Sequence, residues 1–152
     1  MNRFEDAWIH LSAAIALAGV AIHFAAIFGG ADWYAYFGAP PVIVESARVG
    51  TWLAPVSCAV IAGLMALCAA YAFSALGVIR RLPLLRFMLG AIAGVCLVRA
   101  LILVPLAIGH PELRNAFEVG AAIVWGLAGI GFAVAWRTPT TRRAALESRK
   151  QF

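Results

Sequence analysis

The sequence predicts an all-α integral membrane protein, a four-helix bundle with both termini in the cytoplasm, and three observations carry that prediction. The first is composition: of 152 residues 64% are hydrophobic and 12% charged, with mean hydropathy +0.92. Soluble domains carry about 25% charged residues. The second is segmentation, because four apolar runs of bilayer-spanning length occupy about residues 8–28, 50–79, 84–108 and 117–136. They make residues 1–136 one membrane domain and leave 137–152 as a polar, basic cytoplasmic tail. The third is the placement of the basic residues. Arg3, Arg80, Arg81, Arg86, Arg137, Arg142, Arg143, Arg149 and Lys150 fall in the N-terminal segment, the turn between spans two and three, and the tail; the other two connections hold only Arg48 and Arg114. The positive-inside rule then puts both ends in the cytoplasm. The net charge of +5 is read as topology and attraction to lipid head groups, not as a nucleic-acid surface, since the basic residues flank apolar spans.

Span one follows Met-Asn-Arg-Phe-Glu-Asp, two acids against one arginine, and is too long for the apolar core of a cleaved signal; it reads as a retained anchor. Trp8 marks one interface, and Trp33, Tyr34 and Tyr36 lie just past the other. His23, near the outer end, shares a helical face with Gly19, Ala16 and Ser12. The connection that follows is aromatic and apolar, so residues of about 31–48 are expected to form an interfacial or re-entrant segment. Pro40-Pro41 suits a helix start, and from Val42 the pattern can continue as helix into span two, with Glu45 and Arg48 on one side.

Pro55 is expected to kink span two near its start. Ala62, Ala66, Ala70 and Ser74 recur every fourth residue, a ribbon along which another helix can approach. The turn containing Arg80, Arg81, Pro83 and Arg86 is short, so spans two and three are antiparallel neighbours.

Span three carries Gly90-x-x-x-Gly94, then Arg99, then Pro105. An arginine in hydrocarbon costs about 2.5 to 3.5 kcal/mol on insertion scales, so its guanidinium must find a carboxylate or water. Glu118, at the mouth of span four, and Glu45 are the expected partners; Trp125 falls on the face of Glu118. Pro105 cannot donate to the carbonyl of Leu101, which weakens the helix one turn beyond Arg99. With the orientation above, His23, Asp32, Glu45, Arg48, Arg99, His110, Glu112, Arg114 and Glu118 all lie in the outer half. Arg99, Glu118, Glu45, His23, Arg48, Trp52 and Trp125 are therefore the candidates to line a polar pocket for the head of an amphiphile, a quinone or a lipid, or for an anion. The bland alternative is that Arg99 only staples helices together.

Several classes are set aside. Histidine pairs facing each other across two helices, as di-haem cytochromes need, are missing, and no haem or metal is expected. Cys58, Cys68 and Cys96 sit in apolar runs without a C-x-x-C pair and read as packing residues. Neither H-E-x-x-H nor G-x-S-x-G occurs, and span one lacks the deep carboxylate of a small multidrug exporter.

Four spans, a long aromatic outer connection, Gly38-Ala39-Pro40-Pro41, and Glu45 leading into a small-residue-rich second span resemble the DoxX-like group of small bacterial inner-membrane proteins. The resemblance covers mainly residues 11–75; where the group carries a glycine pair after the acid, Arg48-Val49-Gly50-Thr51 stands here. It implies association with a quinone-linked or sulfur-redox membrane complex, with Glu45 the residue carried over. The expected function is then a non-enzymatic subunit or assembly partner of a membrane complex, with a binder of an amphiphile at Arg99, redox-linked or not, and a small dimeric transporter as the alternatives. Partner membrane subunits or a second copy would dock through Gly90 and Gly94 or through Ala62, Ala66 and Ala70.

Overall fold

A computed structural model describes residues 3–111 and 114–138. Glu112 and the basic tail from residue 139 lie outside the described residues. Among those described, all regular structure is helical: α1 Arg3–Gly29, α2 Ala31–Tyr36, α3 Pro41–Arg48, α4 Leu53–Leu76, α5 Leu85–Leu101, α6 Leu103–Gly109 and α7 Ala116–Arg137. Four stretches, α1, α4, α5 continued by α6, and α7, are long and apolar enough to cross a membrane. They correspond to the four predicted runs with shifted ends, the second being three residues shorter at each end than the predicted 50–79. The chain divides into two compact units, Ala13–Ala70 and the residues up to Ser12 together with those from Tyr71 onward.

In the Ala13–Ala70 unit the outer connection is two short helices. Pro40 precedes α3 in an extended conformation and Pro41 opens it, where a missing N–H costs nothing. Ala26, Tyr34, Ala54 and Cys58 form a buried cluster, with Ile27, Phe37, Ile43 and Val44 packed against it. The expectation that α3 runs on into span two is corrected: Gly50 has φ 74°, a left-handed conformation that ends the helix. The break is held by Ser46, whose hydroxyl accepts the Ala54 N–H at 3.0 Å and is hydrogen-bonded to the Thr51 hydroxyl. Pro55 falls in the first turn of α4, where no intrahelical donor is needed, so it starts the helix rather than kinking it. Gly19 faces Met65 so closely that a Cβ would run into the sulfur.

In the other unit α5 and α7 pack along their length. Leu89, Ala93 and Cys96 are buried on α5, and Ala128, Gly129, Gly131, Phe132 and Ala135 on α7. Small residues set the approach: a Cβ built on Gly129 would stand 2.8 Å from Leu97, and one on Gly90 3.3 Å from the Trp136 ring. The start of α1 joins them at Gly131, where a Cβ would meet the Ser12 hydroxyl and the Trp8 carbonyl. Ser12 is fully buried and donates to the Ala128 carbonyl at 3.1 Å. Gly77, at φ 73°, closes α4 three residues before the predicted end, with Val78 N–H bonded to the Phe73 carbonyl at 3.0 Å. The basic turn after it hangs on two side chains: the Ser74 hydroxyl accepts the Leu82 N–H at 3.0 Å, and the Tyr71 hydroxyl donates to the Pro83 carbonyl at 3.2 Å.

Candidate functional site

The site is built where a helix breaks. Pro105 offers no N–H to the Leu101 carbonyl, and the long apolar run accordingly divides into α5 and α6 at Ile102. The ladder resumes at once, with Ile102 N–H on Val98 and Leu106 N–H on Ile102. Arg114 closes the far end, its Nε donating to the Ala107 carbonyl at 2.7 Å and Nη2 to Ile108 at 3.4 Å. A cation at a helix C-terminus also matches the helix dipole.

On the facing strand of chain, Asn115 takes an extended conformation and its side-chain oxygen accepts the Glu118 N–H at 2.9 Å. Sequence reasoning passed over Asn115, although Asn-x-x-Glu directly before an apolar run is the signature of a capped helix start. The cap fixes the first turn of α7, and Glu118 Oε2 there lies 3.6 Å from Arg99 Nη2. Of the two carboxylates the sequence offered, Arg99 meets Glu118. The pair sits level with the first turn of α7, nearer a helix end than a count along an unbroken span suggests. Their side chains remain 43% and 21% exposed.

A shallow, open apolar groove of about 400 Å³ runs along α5, lined by Gly94, Val95, Val98, Ile102 and the aliphatic stem of Arg99. Nearly all of that lining is carbon, so the guanidinium head stands at its edge rather than in it. Gly94 opens onto empty space, whereas Gly90, its partner in the small-residue motif, is covered by Trp136. The stretch carrying Arg99 is also the least buried of the four candidate spans. Trp125, two turns beyond Glu118, is half-buried on α7.

The remaining candidates belong to the Ala13–Ala70 unit. His23 is half-buried and its Nδ1–H donates to the Gly19 carbonyl at 2.7 Å, a bond within its own helix. Glu45 and Arg48 pair with each other at 3.5 Å on the exposed side of α3, and Trp52 is exposed. A second cleft in this unit, of about 200 Å³, is lined by Ile27, Gly30, Tyr34, Ala47, Gly50, Thr51 and Pro55. Tyr34 is 4% exposed, and its hydroxyl has no hydrogen-bond partner of good geometry among the described residues. Burial, and then the neighbouring Cys58 thiol, push that hydroxyl up to about 12. Among the described residues no three His, Cys, Asp or Glu side chains are grouped to hold a metal ion.

Four helices of bilayer-crossing length and composition, with an ion pair at one end of two of them, define a multi-pass membrane protein. No protein-family model, no curated protein and no solved structure matches the chain.

Proposed function

We propose that the chain is a four-helix bundle of the bacterial inner membrane, both termini cytoplasmic, that binds an amphiphile at Arg99 and serves as a non-enzymatic component of that membrane. The observation that carries this reading is the conjunction of a half-exposed guanidinium, with one ion-pair partner among the described residues, and an apolar groove on the same helix. Arginine presents five N–H donors in a rigid fork. One carboxylate oxygen at 3.6 Å leaves most of them to a ligand. A molecule with an acceptor head and an apolar tail, a lipid or a quinone, fits both parts. The resemblance to DoxX-like proteins, through Gly38 to Pro41 and Glu45, supports placement beside a quinone-linked complex.

A second reading, docking of another membrane subunit or a second copy, is favoured by Gly94, where an approaching helix would meet no side chain. Gly90 and Ala62 offer less to such a partner, the first covered by Trp136 and the second buried. Native mass spectrometry of the protein taken from its own membrane in mild detergent separates the two. A single chain or homodimer that keeps a defined lipid or quinone, lost in Arg99→Gln, is the expected result. Stoichiometric protein partners with no small ligand would replace the amphiphile reading by the subunit one.

A further inference from the structure

Resting on the amphiphile reading, the geometry points, we propose, to a phospholipid with a primary-ammonium head, of the phosphoethanolamine type, with its phosphate at Arg99, its ammonium at Glu118 and an acyl chain along Gly94, Val98 and Ile102. Charge decides among the occupants of the groove. Arg99 and Glu118 together are neutral, so the site shows a cation and an anion side by side rather than a positive patch. A lipid with net negative charge would satisfy the arginine but bring its own charge against a Glu118 that is still 21% exposed. A zwitterionic head presents the opposite pair in the same order and meets both.

Donor chemistry then separates ammonium from quaternary amine. Glu118 offers carboxylate lone pairs, partly exposed beside the guanidinium. An ammonium has three N–H groups to give them, while a choline head has none. A second copy of the chain is disfavoured by the same charges: a two-fold axis through this face would place Arg99 against Arg99. The tail has its own seat. The groove lining is aliphatic beyond Arg99, and its floor is Gly94, which leaves room that any larger side chain would fill.

The test is native mass spectrometry of the purified full-length protein, titrated with phosphatidylethanolamine, phosphatidylcholine and phosphatidylglycerol of identical acyl chains. The ethanolamine lipid is expected to bind about tenfold tighter than the other two, the scale of one charged hydrogen bond. Arg99→Gln should lower its binding by about tenfold, and Glu118→Gln should lower it while raising that of the glycerol lipid. Gly94→Leu adds a side chain where nothing in the chain is met, so it leaves the fold intact and should weaken all three lipids alike. Equal binding of ethanolamine and choline lipids, or preference for the glycerol lipid, overturns the head-group assignment while the amphiphile reading stands, provided that Gly94→Leu still releases lipid. Retention unchanged in Gly94→Leu and in both charge variants overturns the two together.

Discussion

Glu118 works with both of its ends. Its N–H is held by the Asn115 side chain and its carboxylate by Arg99, so the residue that opens α7 also ties that opening to α5. Neither bond is worth much alone: a cap contributes about 1 kcal/mol and a partly exposed ion pair less. Their joint effect is to fix where the charges stand, which is what a head-group site requires. Tyr34 is the opposite case, a hydroxyl buried beside the Cys58 thiol without a well-formed hydrogen bond among the described residues. Burying such a group costs about 1–3 kcal/mol, so Tyr34→Phe is expected to be neutral or stabilising at pH 7. The two proteins should part in alkali. An unfolded tyrosine ionises near 10, whereas the folded one keeps its proton to about 12. Stability present below pH 10 is therefore lost as pH rises from 10 towards 12, because the unfolded chain releases a proton the fold retains. Thermal melts between pH 7 and 11.5 should show a steeper alkaline loss in the wild type than in Tyr34→Phe; parallel curves would contradict this assignment.

At the scale of elements, α5 and α7 approach because one side of each is small. Gly131 shows what that closeness demands, since its missing Cβ is the space occupied by the Trp8 carbonyl and the Ser12 hydroxyl. Backbone cannot swing aside as a side chain can. Gly131→Ala is expected to destabilise by about 1–3 kcal/mol through overpacking. Gly94→Ala, on the open face, should stay within about 0.5 kcal/mol or gain from helix propensity. Chemical denaturation of both variants in detergent checks the contrast, and equal effects would mean that the two glycines are packed alike. The sequence distinguishes neither these glycines nor the two of Gly90-x-x-x-Gly94. Spacing reveals that a face is narrow, but which end is covered depends on Trp136, far along the chain. The alanine ribbon of α4 was legible for a similar reason only in part. Steps of four residues overshoot the helical period by about 40° each. Ala66 consequently rotates into the open, and burial passes from Ala62 to Ala69, Ala72 and Leu76.

At the scale of the whole molecule, composition alone marked out the four spans, because bilayer thickness imposes a length that any sequence must meet. The ends of those spans were less legible, since Gly50, Gly77 and Pro105 decide them through backbone conformation rather than hydropathy. Orientation rests on charge. Along the sequence Arg3, Arg80, Arg81, Arg86 and Arg137 flank the spans in the N-terminal segment, the turn between spans two and three and the end of span four, while the other two connections hold Arg48 and Arg114. The orientation proposed above assigns α2, α3 and the Arg99–Glu118 pair to the outer side. We therefore expect a membrane-impermeant maleimide to label Tyr36→Cys in cells with a permeable outer envelope, and to leave Arg81→Cys unlabelled until the inner membrane is opened. The native cysteines would first be replaced, although Cys58 and Cys96 are buried and shielded already. The reverse pattern would invert the bundle and carry the Arg99 groove to the cytoplasmic leaflet. The head-group chemistry would survive that inversion, because Arg99 and Glu118 face each other in either orientation. Its source would not, since the lipid would then have to be drawn from the other leaflet.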